Sequence, residues 1–531
     1  MILAWLILVL VVGGLAAWLV SRWHADWARR LSLAAVAAHL VLLVSLCLQM
    51  GTRTPLADDL RWLADLHLPW IAQLGIGFDL ALDGLSLLLL LLTDVLGIAA
   101  IAASWKAVTD RVGFFHFNLL WLLAAMSGVF LAVDLFLFYV FWELMLVPLY
   151  FLILIWGHEG RRVYAAIKFF IYTQVGGLLM LLAILGLHVL HGRQTGVDTF
   201  LYDELLGTEP SGPAAMWLML GFVVAFAVKL PVVPLHTWLP DAHTEAPTAG
   251  SVLLAGLVLK AGAYGLIRFV WPLFPAAASD LAPWAMLLGT VSILYGAVMA
   301  FGQTDLKRLV AYTSVSHMGF VLLGVFAGNR LGLQGAVVVI LAHGLSTGAL
   351  FILAGNLYER LQTRDLRQMG GLWSKMPRMG TAWLIFALAS LGLPGLGNFV
   401  GEFLVLLGAF QANVPIAVLA TLGFVVSTAY SLLMMQRVFH GSPTPLESRS
   451  ALPDLSRRES AVMALLVALI VWLGLFPQPV LDTGRATVDG VLERIHEASQ
   501  TRFEAADAPR TQPPQMIATG ASHVEGEGVE R

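Results

Sequence analysis

Fourteen apolar stretches, each close to the ~20 residues that carry a helix across a bilayer, constrain this chain more than any other feature. They lie at 1–20, 31–50, 79–104, 114–132, 134–156, 164–190, 215–238, 247–271, 283–302, 307–328, 331–358, 379–412, 414–438 and 460–477. Polar residues are too few to cover such runs in water. Of 531 residues, 59% are hydrophobic and 12% charged, where a soluble domain is about half apolar and a quarter charged. In lipid the backbone must satisfy its own hydrogen bonds, so runs of this length are helices. The expected fold is an all-α polytopic membrane protein with about fourteen transmembrane helices. The net charge of −3 gives no electrostatic footprint for nucleic acid. Cys47 is the one cysteine, which excludes an intrachain disulfide and any multi-cysteine iron–sulfur or zinc site.

Lys and Arg collect in the loops on the cytoplasmic side of a membrane protein. No basic region precedes the first stretch, and Arg22, Arg29 and Arg30 follow it. That order favours a retained helix over a cleaved signal peptide, with the N-terminus outside. Counted from there, eighteen of the 31 Lys and Arg fall in inner loops and five in short outer loops or at a helix end, Arg268 among them. The bias predicts both termini outside. Asp134 marks the turn between the fourth and fifth helices. The tail after about 490 is polar and rich in Gly, Pro, Ala and Glu, and is expected to be disordered.

A charge in the bilayer core costs several kcal/mol and faces a polar interior or a partner. Glu143 lies in the fifth helix, Lys229 in the seventh, Lys260 in the eighth and Glu402 in the twelfth. His317 and His343 lie inside the tenth and eleventh, and Lys168 is nearer the inner end of the sixth. These residue types exchange protons, and Arg is absent from the mid-membrane set. Desolvated Lys and near-neutral His give up protons, which Arg does not. A static Glu143–Lys229 ion pair is the plainer alternative. Asp79 and Asp83 open the third helix and read as caps. Asp94 is ambiguous. His158, His188, His191, His243 and Asp305 are near helix ends and are expected to be solvated.

Two helices carry the same interruption: Lys229-Leu230-Pro231 in the seventh and Gly392-Leu393-Pro394 in the twelfth. Proline removes a backbone donor and clashes with the preceding turn, so each helix should break there. The two broken helices are five positions apart in order, an odd step, so they run in opposite directions. That points to an inverted repeat, helices 4–8 against helices 9–13, with the pathway at each break. Two unrelated proline kinks are the alternative. The organisation is then 1–113 (helices 1–3), 114–271 and 283–438 (the repeats), 460–477 (helix 14) and 490–531 (the tail). Gly395, Gly397 and Gly401 do not match dinucleotide-loop spacing, and no phosphate loop or HExxH zinc motif is present.

Three stretches carry a family resemblance: Asp134 through Glu143 to Pro148, Lys229 through His236 and His243 to Pro247, and Lys307 through His317 to Gly319. On these the chain resembles the antiporter-like membrane subunits of respiratory complex I, the NADH:quinone oxidoreductase. Within that family chains L and N, like the sodium/proton antiporter subunits, typically carry Lys where Glu402 stands. The chain also stops without the long lateral helix that extends chain L.

The resemblance implies a subunit of a proton-translocating oxidoreductase in the bacterial inner membrane, with both termini periplasmic. It implies that chains L and N are neighbours and that quinone reduction in partner subunits supplies the energy. NADH, FMN, iron–sulfur clusters and quinone would bind in those partners, and this chain would bind no cofactor or metal. By position, Glu143 would pair with Lys229, and Lys260 would be the central relay, linked through His317 and His343. Glu402 would be the exit-side residue, Lys168 would tune the Glu143–Lys229 pair, and His236 would bridge toward the first lysine. A multisubunit sodium/proton antiporter or an energy-converting membrane hydrogenase is the rival function, and a scaffold whose charges only fix helix register is the third reading.

Overall fold

The computed structural model describes residues 1–51, 62–208, 210–441 and 452–507. Arg53, Arg61 and Arg449 of the loop count, and the tail beyond 507, lie outside the described residues. Among the described residues thirteen helices are long and apolar enough to cross a membrane. They are α1 (Ile2–Val20), α2 (Ala25–Gly51), α3 (Gly84–Ser104), α4 (Val112–Leu131), α5 (Leu135–Trp156), α6 (Arg162–Thr195), α7 (Gly212–Lys229), α8 (Thr248–Leu273), α9 (Pro275–Phe301), α10 (Leu306–Phe326), α11 (Arg330–Leu361), α13 (Val414–His440) and α14 (Arg457–Leu475). The fourteenth expected span is α12, which is in two pieces, Pro377–Ser390 and Gly397–Ala412. A helix apolar on every side is stable only when surrounded by others. α8, α10 and α11 are such helices, and each is enclosed throughout its apolar window. They carry Lys260, His317 and His343 into the centre of the bundle.

Both expected breaks occur. α7 stops at Lys229, just before the Leu230-Pro231 step, and helix resumes at Trp238–Glu245. The first piece of α12 ends at Ser390, ahead of Leu393-Pro394. Gly392 and Gly395 take left-handed φ values of 77° and 94° in the break, a region that favours glycine. A Cβ on Gly401 would sit 2.6 Å from the Val339 backbone nitrogen, so this glycine lets α12 approach the α11 backbone beside Glu402.

Three features depart from expectation. First, the third helix begins at Gly84, not 79. Residues Ala64–Ile71 (β1) and Ile76–Leu82 (β2) form an antiparallel hairpin. Ile76, Phe78, Leu80 and Leu82 alternate with smaller or polar residues, a period of two that suits a strand. Asp83 is the cap, accepting from the Ser86 N–H at 2.9 Å, while Asp79 lies in β2 and faces His67 at 3.0 Å. Second, α8 contains two π-helical turns, Leu254–Val258 and Leu266–Val270.

Third, residues 490–507 are ordered, within α15 (Arg485–Asp507). Val488 and Val491 are buried one turn apart. Thr487 donates to Asp83 at 2.5 Å, and Arg494 donates to the Leu206 carbonyl at 3.3 Å. A polar composition hid this short apolar stripe and its anchors.

Candidate functional site

Four helices each contribute one titratable side chain to a buried row. At the π turn of α8 the Lys260 ammonium donates to the Ala255 carbonyl at 3.0 Å. The same nitrogen is 2.6 Å from His343 Nδ1 on α11. The His343 and His317 rings face each other with centroids 5.5 Å apart. His317 Nδ1 on α10 meets Glu402 Oε1 on α12 at 2.8 Å, and its Nε2 meets the Ser390 hydroxyl at 3.2 Å. Lys260 and His343 are 0% exposed, and Glu402 is 2%.

With the lysine as donor, the contact sets the His343 tautomer. A lysine donating to His343 Nδ1 leaves the ring proton on Nε2, and that nitrogen has no hydrogen-bond partner. Accepting a proton at Nδ1 therefore releases one at Nε2, which is how an imidazole passes charge along a line. The Lys260, His343, His317 and Glu402 expected from sequence do come together.

The other half of the expected relay is built differently. Lys229 Nζ is buried without a hydrogen-bond partner, as is Glu143 Oε1. Among the described residues no ion pair joins them, so the direct pair expected from sequence is not formed. The ammonium instead lies 5.4 Å from the Trp142 ring centroid and 5.5 Å from that of Phe169. Aromatic faces attract a cation without accepting its protons. Gly177 of α6 makes room for the carboxylate, since a Cβ there would lie 2.0 Å from Glu143 Oε1.

Two lesser expectations also change. Lys168 is bound to Asp241 at 2.7 Å, and Arg308 reaches the same carboxylate at 3.3 Å. The ammonium is held at Asp241 and makes no contact with Glu143 among the described residues. His236 lies in the α7 break with both ring nitrogens unpartnered, beside Tyr295 at 5.0 Å between centroids, and makes no hydrogen bond to Lys229.

Sequence reasoning missed several buried groups. Arg268, assigned to a helix end, is buried and ion-paired with Asp83. His39 Nδ1 meets the ambiguous Asp94 at 2.7 Å, and its Nε2 meets Ser127 at 3.3 Å. His243, expected to be solvated, is 0% exposed, stacks on Phe351 and has both nitrogens unpartnered. His191 is buried as well and bonds Thr208 at 2.8 Å. For Arg268, His191 and His243 position near a helix end was the misleading signal; His39, in the middle of α2, was passed over.

Residues 132–428 match the family described as NADH:quinone oxidoreductase/Mrp antiporter, transmembrane. The chain belongs to that family. NADH-quinone oxidoreductase subunit M of Escherichia coli K12 is 52% identical over 496 residues, spanning 92% of this chain and 97% of the relative. The subunit M of Pseudomonas aeruginosa is also 52% identical, over 94% and 99% of the two chains. A chain in the structure of respiratory complex I from Thermus thermophilus superposes with a TM-score of 0.82 at 33% identity, over 93% of this chain and 99% of its own. The Mrp complex of Dietzia gives 0.77 at 22% identity, which speaks for the fold alone. The family match includes both broken helices and all four members of the row.

Proposed function

We propose that this chain is the proton-translocating membrane subunit of a respiratory NADH:quinone oxidoreductase, in the place that subunit M holds in its relatives. The row Lys260–His343–His317–Glu402 carries this reading, because it joins four proton-exchanging groups across the bundle centre. High identity over nearly the full length to proteins named subunit M favours it over the antiporter and hydrogenase readings.

In this account Glu143 and Lys229 act as a switch and the row as a conductor. Charges a few ångström apart in a poorly screened interior interact by several kcal/mol. Moving the Glu143 carboxylate toward or away from Lys229 therefore changes what the lysine's charge costs. A proton released there passes to Lys260 and on to Glu402. Redox chemistry and its cofactors reside in partner subunits, with chains L and N as the antiporter-like neighbours. The repeats, helices 4–8 and 9–13, are related by inversion, and the Lys/Arg bias puts both termini on the periplasmic side of a bacterial inner membrane. In membrane vesicles carrying the assembled complex, Lys229→Ala or Glu143→Ala should abolish proton pumping coupled to NADH oxidation. Full pumping by both variants would remove the relay.

A further inference from the structure

A cavity of about 350 Å³ opens beside the loop between α3 and α4, on the face that bears the Lys/Arg-rich loops. Thr109, Asp110, Trp156, Tyr358 and Glu359 line it, and His158 stands in its wall. A water takes up about 30 Å³ of liquid, so the space holds several. His158 lies in the α5–α6 turn, where its own N–H donates to the Glu245 carbonyl at 2.9 Å. Its ring Nε2 is 3.5 Å from the Lys307 ammonium. Burial above all, with the charges of Lys307 and Arg364 nearby, pushes the His158 pKa down to about 3 and keeps the ring neutral. A neutral imidazole accepts at one nitrogen and donates at the other.

Lys307 is 1% exposed, although its place at the head of α10 had put it among the loop charges. Its ammonium donates to the Ala246 carbonyl at 2.8 Å, at the end of the helical turn that carries His243. His243 lies on the turn that ends at Ala246 and stacks on Phe351 of α11, the helix that carries His343, with ring centroids 4.5 Å apart. A fully buried ring with both nitrogens unpartnered is costly. Nothing in the row or in the Glu143–Lys229 switch uses it.

We propose that this cavity is the entry port of the proton row, and that His158, Lys307 and His243 connect it to Lys260. The proposal rests on the relay reading above and supplies its intake. A hydronium ion that enters the cavity from bulk water gives its proton to one nitrogen of His158 and is left as water. The other ring nitrogen passes one to Lys307 when that amine is neutral. Lys307 protonates His243 through water, and His243 refills Lys260 or His343. Each transfer moves one proton, and the cavity water replaces it. The acidic rim of Asp110 and Glu359 favours the arrival of positive charge.

The test compares coupled proton transport in vesicles carrying the assembled complex. Lys307→Arg keeps a cation against the Ala246 carbonyl but cannot release its proton at accessible pH. It should lose as much transport as Lys260→Ala, whereas a merely structural lysine would be replaced without loss. His158→Ala should lose transport and regain it when imidazole, small enough for the cavity, is added. Thr109→Trp, which fills the mouth from an exposed position, should also slow transport and serves if the buried variants fail to assemble. Full transport in Lys307→Arg or Thr109→Trp, or no imidazole rescue of His158→Ala, overturns the entry port. Those results leave the relay standing as long as Lys260→Ala is inactive. An active Lys260→Ala would sink the relay itself.

Discussion

Lys229 and Lys260 are equally buried and very differently housed. Lys260 sits at the head of a row of contacts, with a carbonyl at 3.0 Å and an imidazole at 2.6 Å. Lys229 has two aromatic faces and no hydrogen-bond acceptor among the described residues. An ammonium with acceptors in line can hand its proton on. One without them depends on a charge it does not touch, and its state follows small displacements of Glu143. The contrast separates a conducting region from a switching region within one bundle. It also matches where each lies: the conductor runs from the enclosed α8, α10 and α11 to Glu402 on α12, and the switch is at the break of α7.

The sharpest way to break this comparison is at Glu143. Glu143→Gln removes the charge that Lys229 responds to and leaves the row intact. Coupled transport should fall to background in vesicles, while Glu143→Asp, which keeps the charge on a shorter stem, should retain part of it. Equal and full transport in both would mean that Lys229 needs no switch.

A second prediction uses the buried ion pair that is neither switch nor conductor. Arg268 and Asp83 tie α8 to the start of α3, and Thr487 of α15 joins them. Arg stays charged, so this pair is a fixed anchor. Arg268→Gln strands the Asp83 carboxylate and should cost about 3–5 kcal/mol of stability, read as a lower unfolding temperature of the solubilised complex. Transport per assembled complex should be preserved. A loss of transport without a loss of stability would place the anchor in the pathway.

The smallest effect is expected at Asp134, which caps α5, the helix of Glu143. Its carboxylate accepts from Leu137 N–H at 2.8 Å and from Gly77 N–H at 3.0 Å. Burial, with Asp79 nearby, outweighs these bonds and pushes its pKa up to about 6. The folded state therefore holds this proton to higher pH than the unfolded chain does. Stability should decline by about 3 kcal/mol as pH rises from about 4 to about 6 and then level off. Asp134→Asn keeps an acceptor and should flatten that part of the profile of unfolding temperature against pH. An unchanged slope would show that Asp134 is not its source.

Apolar length and proline placement made the helices and both breaks legible, because each reports a local cost that tertiary packing cannot remove. Buried Glu, Lys and His made the row legible for the same reason. What sequence concealed was direction and distance. Lys229 and Glu143 read as partners, yet the pairing depends on side-chain reach across α5, α6 and α7. Lys168 read as a tuner of that pair, yet Asp241 comes to it from the far side of the α7 break. His243 read as solvated, since nothing local shows that the chain after the α7 break turns inward. The end of the hairpin, 79–82, was absorbed into the third apolar stretch and the rest was left between spans, although the alternation of Ile76, Phe78, Leu80 and Leu82 was visible.

His343 is the link on which the conducting region depends, since it stands between Lys260 and His317. Coupled proton transport by the assembled complex carrying His343→Leu, which fills the space with an aliphatic group, is therefore the most direct measurement. The row predicts that transport collapses while the complex still assembles. Transport at the level of the unmodified complex would contradict it.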